Sequence, residues 1–506
     1  MGVVLSRVFS ATLVGLEPVL IEVEVDTTQG VPNFVLIGLP SKAVDEAKER
    51  VTAALVNCGI RIRSKRTVVN LAPADLQKKG SGLELAIAVG LLKMYGEIVE
   101  ETDKTLFFGE LSLDGQLKPI RGALTLVLSA QKFGFTRVVL PSANSEEVSF
   151  ISGIEIIAID SLAEYILLSK EKRPWPKLEF KKINLLNQKN NISPQWQAIL
   201  GQEQAKRALT IAIAGGHNIH LVGPPGAGKS MLAKAAAELQ PPLSEAEAIA
   251  ITQIHSVAGL VNNKIISRRP FRSPHHSSST VGLIGGSSSL LPGEISLAHS
   301  GILFLDELPE FSRSALESLR QPLESGEVTI TRAVGTATYP ANFTLIAASN
   351  PCPCGFWGTH KQCTCTPPVR QRYIRKLSGP LLDRIDLHVR VEAVKTRALA
   401  KEVTAEDNSI ELVRNSIIKA RQWQSDRLAG TNFRTNGDLD GTSARKTCQT
   451  TSEAGALLTK AAESLRLSAR GYFKTLKVAR TIADLDESEI VESKHITEAL
   501  QYRAEI

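Results

Sequence analysis

The sequence predicts an α/β protein of two or three domains, one of them a mostly parallel sheet behind a phosphate-binding loop. Three observations carry this. Strand-like apolar runs alternate with helix-like ones over most of the chain, GPPGAGKS (223–230) falls between a strand and a helical run, and strand signals fade past about residue 395 while helical ones continue. The length of 506 residues points the same way, since one core ordinarily holds about 100–200.

Taken in order, residues 1–172 alternate LIEVEVD, NFVLIG, RTVVNLAP, TRVVLP and GIEIIAI with the helix-like SKAVDEAKERVTAALVNCG and SGLELAIAVGLLKMYG, which is an α/β unit. Residues 173–195 turn to proline, asparagine and lysine with little periodicity and read as a linker. In 196–394, ILGQEQAKRALTIAIAGG is helical, and HNIHLVG, GILFLDEL, FTLIAASN and DLHVRVEA are apolar strands at the separations a parallel sheet needs. Residues 395–506 form a helical subdomain, interrupted by the polar stretch 429–450. No internal repeat is visible.

Composition excludes some classes. With 43% apolar residues and no apolar run near the roughly 18 residues of a membrane helix, the chain reads as soluble, without a membrane partner. MGVVLSRVFS has no long apolar stretch leading to a cleavage site, so the cytoplasm is the expected compartment. MGVVLS also matches an acylation pattern, but one acyl chain without a basic cluster holds membranes marginally, and a first β-strand is the better reading. Lysine and arginine exceed aspartate and glutamate by 59 − 52 = 7, which is compatible with a polyanionic partner without requiring one.

The phosphate loop is chemically explicit. Gly223, Gly226 and Gly228, with Pro224, Pro225 and Ala227 between them, let backbone N–H groups face phosphate oxygens; Lys229 offers a cation to the β- and γ-phosphates and Ser230 a ligand to Mg²⁺. ILFLDE (302–307) supplies the other half, Asp306 to the metal and Glu307 to an attacking water. ATP and Mg²⁺ are the expected cofactors. Asn350 at the end of TLIAASN is placed to orient that water or hold the γ-phosphate. Arg384 in GPLLDRID would reach a neighbouring subunit's ATP as an arginine finger, and Arg470 in LSARGYF would report nucleotide state to the helical lid.

Four of the six cysteines, Cys352, Cys354, Cys363 and Cys365, fall in C-x-C, eight residues, C-x-C. In a reducing compartment a disulfide is disfavoured, and four thiolates suit a structural Zn²⁺; reduced thiols or a redox response stay open, and His360 could replace one thiol. Cys58 and Cys448 read as ordinary core or surface thiols.

Together GQEQAKRAL, GPPGAGKS, RPFRSPHHSSSTVGLIGG, PGEISLAHSGILFLDELPEF, ASNPCPCG and SGPLLDRIDLHV resemble the magnesium-chelatase-like AAA+ ATPases of the YifB/ComM type, with FVLIGLP and LKVARTIADL extending the likeness to both ends. The resemblance implies an AAA+ P-loop NTPase core working as a homo-oligomeric ring, usually hexameric, with Arg384 acting in trans and Arg470 as second sensor in a C-terminal helical lid. It implies an ATP-dependent branch-migration helicase acting on single-stranded and branched DNA when incoming DNA recombines with the chromosome, alongside recombination proteins. A chelatase-type ring that remodels a protein for Mg²⁺ insertion into a porphyrin, and a DNA-binding regulatory ATPase, are the competing readings. The N-terminal domain, absent from the chelatase motor subunit, favours the first.

That N-terminal domain resembles the Lon-protease fold through NLAPADLQKKGSGLELAIAVGLL and GELSLDGQLKPIRGALTLVLSA. The positions of the nucleophilic serine and its lysine fall on Gly82 and Leu124, with Ser81 adjacent, so peptidase activity is not expected. Binding, of DNA through Lys65, Arg66, Lys78 and Lys79, is the alternative use. For the DNA surface of the core, residues 255–301 carry Lys264, Arg268, Arg269, Arg272, His275 and His276 among serines and glycines, and 325–343 reads as a hairpin with Arg332 near its turn, an element that projects into the pore of related rings. The alternative is that RRPFRSPHH braces a subunit interface or the nucleotide pocket.

Overall fold

A computed structural model describes residues 5–38, 42–62, 65–73, 81–98, 102–171, 173–183, 195–261, 264–286, 290–333, 335–359, 361–377, 379–393 and 410–503. The N-terminal sheet contains β1 (Ser6–Val14), β2 (Glu17–Thr28), β3 (Asn33–Ile37), β4 (Arg66–Ala72), β5 (Thr105–Phe107), β8 (Arg137–Pro141) and β9 (Glu155–Ile159), in the order β3-β4-β2-β1-β5-β8-β9, with β6 (Glu110–Leu111) and β7 (Leu117–Lys118) as a separate ribbon. Alternation in β2 sends Ile21, Val23 and Val25 into the core, where they meet the helix Glu84–Tyr95. That helix is apolar nearly all round and is buried accordingly. Gly90 lets it approach β2, since a Cβ there would lie 2.8 Å from a Val25 methyl.

The linker expected over 173–195 begins later than its composition suggests. Leu178 N–H donates to the Ile156 carbonyl (2.8 Å) and Trp175 lies against Tyr165 with ring centroids 5.3 Å apart, so the described part of this segment seals the β9 edge. Two well-placed apolar side chains outweigh the lack of periodicity. Residues 184–194 lie outside the described residues.

The second sheet is parallel: β10 (Ile219–Val222), β11 (Phe271–Arg272), β12 (Ile302–Leu305), β15 (Thr344–Ser349) and β16 (Leu387–Arg390), in the order β11-β12-β15-β10-β16. Its alternation feeds two cores. Ile302, Phe304, Ile346 and Ala348 face the helices Glu203–Gly215 and Lys229–Glu238, whereas Leu303, Leu305, Leu345 and Ala347 face the opposite layer. Edge strand β11 has only two residues between Pro270 and Pro274, too few to show a period in sequence. The expected hairpin is present as β13 (Glu327–Arg332) and β14 (Gly335–Pro340), pairing Arg332 with Gly335. The β1–β2 turn abuts it: Gly15 has φ +66°, and a Cβ there would fall 2.6 Å from that of Ala337. A second junction between the domains joins Gly122 N–H to the Ser256 carbonyl (3.2 Å), with the Ser256 hydroxyl donating to the buried Glu147 carboxylate.

The C-terminal helices Ile410–Arg427, Ser452–Ser464, Ala469–Leu485 and Ser493–Gln501 form a lid fastened to the core by Gln424, which donates to the Ala214 carbonyl (3.0 Å), and by Arg207 paired with Glu498 (2.8 Å). Inside it, Asp484 accepts both Arg427 amines (2.8 and 2.7 Å), Arg480 Nε (3.1 Å) and Asn436 Nδ2 (2.8 Å). Asn436 and His217 each reach the Thr481 hydroxyl (2.9 and 2.8 Å), and the other side of the His217 ring lies 3.5 Å from Asp386 at the start of β16. Asp484→Ala removes the one carboxylate that Arg427 and Arg480 share, leaving them only neutral acceptors such as the Glu489 carbonyl and Asn436 Oδ1, and is expected to cost about 3–5 kcal/mol, read as a lower urea midpoint. Asp484→Asn should cost less, and an unchanged midpoint in the alanine variant would show that both arginines find other partners.

Candidate active site

Strand order builds the site. Val222 pairs with Ser349 and Leu305 with Ala347, so the residues leaving β10, β15 and β12 emerge together at the C-terminal edge of the sheet, where open α/β sheets bind ligands. They are the P-loop, Asn350, and Asp306 with Glu307. Gly223 is required by a close approach, since a Cβ would stand 2.2 Å from the Val391 carbonyl oxygen; Gly226 (φ +78°) and Gly228 (φ +88°) are required by left-handed backbone. Between them Ala227 N–H donates to the Pro224 carbonyl (3.3 Å), closing the turn before the helix starts at Lys229.

Lys229 Nζ donates to the carbonyls of Gly223 (2.7 Å) and Pro224 (2.9 Å) and to Asn350 Oδ1 (3.1 Å). Burial pulls its ammonium below the ordinary lysine range, opposed by Asp306 and Glu307. The Ser230 hydroxyl donates to Asp306 Oδ2 (2.6 Å), which brings a hydroxyl and a carboxylate oxygen together as hard ligands suited to Mg²⁺. Four expected residues thus converge. Glu307 follows with backbone in the left-handed region (φ +51°) and its carboxylate 3.2 Å from His276 Nδ1. β11 ends beside β12 and sets His276 against Glu307, which agrees with RRPFRSPHH bracing the nucleotide pocket rather than facing DNA phosphates. Tyr373, pushed up to about 12 mainly by burial, closes the far side, its phenol hydrogen-bonded to the Asn350 backbone.

Arg384 and Arg470 stand elsewhere. Asn218, just before β10, donates through Nδ2 to the Arg384 carbonyl (3.0 Å), which fixes Arg384 at the N-terminal edge of the sheet. The four residues of β10 separate that edge from the P-loop by about 13 Å. Arg384 pairs with Glu324, Arg470 lies 3.6 Å from the same carboxylate, and both line a cavity of about 730 Å³ that touches no P-loop residue.

The basic residues of 255–301 divide. Arg269 binds both oxygens of Glu247 (2.8 and 2.9 Å) and the carbonyls of Pro241 and Ser300 (2.8 Å each), and Arg272 grips Glu294 through two bonds of 2.6 Å. The guanidinium groups of these two candidates for phosphate contact are engaged internally, so the bracing alternative describes them. Lys264, Arg268 and Arg332 are exposed, Arg332 also donating to the Gly286 carbonyl (3.0 Å). In the N-terminal domain Lys65 and Arg66 are exposed, Lys78 and Lys79 lie outside the described residues, and Leu124 is fully buried.

The four clustered thiols converge, with Sγ–Sγ separations of 3.3 Å (Cys352–Cys354), 3.7 Å (Cys352–Cys363) and 3.5 Å (Cys354–Cys363) and all four within 4.8 Å of one another. His360 lies outside the described residues.

A parallel sheet with one strand between the P-loop strand and the acid-pair strand, an asparagine beside the P-loop lysine, and a helical lid on the core define an AAA+ P-loop protein. Family models agree over most of the chain: subunit ChlI of Mg-chelatase over residues 23–144, magnesium chelatase subunit ChlI over 195–399, and its C-terminal part over 407–503. The chain is 40% identical to competence protein ComM of Haemophilus influenzae (99% of this chain, 97% of that protein) and 39% identical to YifB of Escherichia coli with the same coverage. It is also 27% identical to Lon protease 2 of Bacillus subtilis, over 29% of each chain. The chain belongs to the magnesium-chelatase-like proteins of the YifB/ComM type. No described helix is long and apolar enough to cross a membrane.

Proposed function

We propose that the chain is a cytoplasmic, hexameric ring-forming DNA motor that hydrolyses ATP to drive branch migration and so promotes recombination of incoming DNA. The observation that carries the ring is the placement of Arg384 and Arg470 at the sheet edge opposite Lys229. A site lacking its arginines on one edge and offering them on the other is completed by a second copy. The DNA substrate is supported by the competence relative, which matches the whole chain.

In this reading Lys229 and the loop N–H groups would hold the β- and γ-phosphates, and Ser230 and Asp306 would hold Mg²⁺, which when bound would supply charge neutralisation to the transferring phosphoryl group. Glu307 accepts the proton of the attacking water, Asn350 orients it, and Arg384 and Arg470 of the adjoining subunit stabilise the equatorial charge. A structural Zn²⁺ in the four-thiol cluster belongs to the same reading. Recombination proteins are the accessory partners.

A chelatase-type motor is the second reading, and one observation favours it: residues 23–144 match a model described as a chelatase subunit, so the N-terminal domain does not separate the two. One assay does. Forked and four-way DNA should raise ATP turnover, and junctions should migrate with ATP but not in Lys229→Ala. Binding should weaken with salt at a slope of about −0.7 per phosphate contact for single strands, and Lys264→Ala, Arg268→Ala and Arg332→Ala together should flatten it. If branched DNA neither binds nor changes turnover while a porphyrin-metallating partner does, the chelatase reading replaces this one.

A further inference from the structure

We infer that Cys352, Cys354, Cys363 and Cys365 form a closed zinc site that sets the position of the P-loop. This rests on the reading of that loop as the nucleotide site.

The donor set comes first. Four thiolates at about 2.3 Å from a tetrahedral Zn²⁺ stand about 3.8 Å from one another; three separations of 3.3 to 3.7 Å among Cys352, Cys354 and Cys363, with Cys365 Sγ within 4.8 Å of each, bracket that figure. They are far beyond the about 2.05 Å of a disulfide, and all four cysteines are free. Two backbone N–H groups point at the sulfurs, Cys354 at Cys365 Sγ and Trp357 at Cys352 Sγ, each at 3.4 Å. Donors of this kind stabilise thiolate charge and orient ligands. An all-sulfur tetrahedral set selects zinc or iron, and four protein ligands leave no open position, so the role is structural.

The second observation is what the cluster touches. Gly355, between the two C-x-C halves, has φ +84°, and a Cβ there would lie 2.5 and 2.7 Å from Cδ and Cγ of Pro225. The turn of the cysteine loop therefore rests directly on the P-loop. The same loop starts from Asn350, which holds Lys229. The P-loop is thus gripped twice by one segment, at its lysine and at its second proline.

The third is what else could hold that segment. Between the end of β15 at Ser349 and the helix Pro367–Arg375, the described residues form no helix or strand. Beyond the thiols and the contacts with the P-loop itself, it is tied by cation–ring contacts such as Arg370 over the Trp357 ring (5.0 Å) and Lys361 over Phe356 (5.1 Å). Contacts of this strength do not order a loop of this length, whereas a four-ligand metal does.

The test uses the full chain purified without chelator. Elemental analysis should find about one zinc per chain, released by a mercurial and regained on adding Zn²⁺. A fluorescent ATP analogue should bind the stripped protein about tenfold or more weakly, with recovery on reloading. Gly355→Val keeps all four thiols; it should retain zinc and still weaken the analogue, and this variant decides the matter if cysteine-to-serine proteins fail to fold. Iron in place of zinc, or no metal after incubation with Zn²⁺, overturns the site. Unchanged nucleotide affinity in both the stripped protein and Gly355→Val overturns the coupling. Zinc-loaded protein that binds no nucleotide at all overturns the ATP reading and the coupling with it, while the zinc content remains a separate result.

Discussion

Glu307→Gln is expected to bind ATP with near-normal affinity and hardly hydrolyse it. The amide preserves size and the +51° backbone that turns the side chain away from the strand, and it leaves the Ser230–Asp306 pair intact. What it removes is the group that accepts a proton, and the loss of one positioned base lowers rates by about 10²–10⁴. Phosphate release and analogue binding, measured on the same preparation, separate the two effects. Asp306→Asn is the contrasting variant, because it disturbs the metal ligand and should weaken Mg²⁺-dependent binding itself. Normal turnover by Glu307→Gln would take this carboxylate out of the mechanism.

The second large effect belongs to Arg384. Its backbone is held by Asn218 at the sheet edge opposite its own P-loop and its guanidinium pairs with Glu324, so if it serves a neighbouring subunit as proposed, Arg384→Ala should silence ATP turnover without harming ATP binding. Arginine fingers are worth about 10³–10⁵ in rate. Mixing Arg384→Ala with Lys229→Ala subunits should restore part of the activity, because an interface that pairs an intact P-loop with an intact arginine reappears at random. Mixed rings that form and stay inactive at every ratio would argue against action in trans. Arg470→Ala belongs in the same experiment, since it shares Glu324 with Arg384.

The parts of the site that were legible in the chain are those that need only local order. GPPGAGKS and ILFLDE each combine a strand with the residues that leave it, and parallel pairing then brings Lys229, Ser230, Asp306 and Asn350 together. His276 admitted two readings, phosphate contact or bracing of the nucleotide pocket, because its placement depends on β11, a strand of two residues. For Arg269 and Arg272 the same two readings stayed open for a different reason: their partners Glu247 and Glu294 lie 22 residues away along the chain, one before and one after, and composition does not reveal which carboxylate a fold will bring back. The early stretch of the supposed linker shows the same limit, as Trp175 and Leu178 gain their meaning from the β9 edge they cover.

His217 has a mechanical consequence. Its buried ring lies between Thr481 in the Ala469–Leu485 helix and Asp386 two residues beyond Arg384, with Asn436 and Asp484 continuing the chain inward. Tilting the lid away from this residue would strand buried polar groups at about 1–3 kcal/mol each. The lid is therefore latched to the same edge of the sheet that holds Arg384, since Asn218 binds the Arg384 carbonyl and His217 lies against Asp386. In the ring proposed above, a lid held at this edge would keep one protomer's Arg384 at a fixed angle to the next protomer's P-loop.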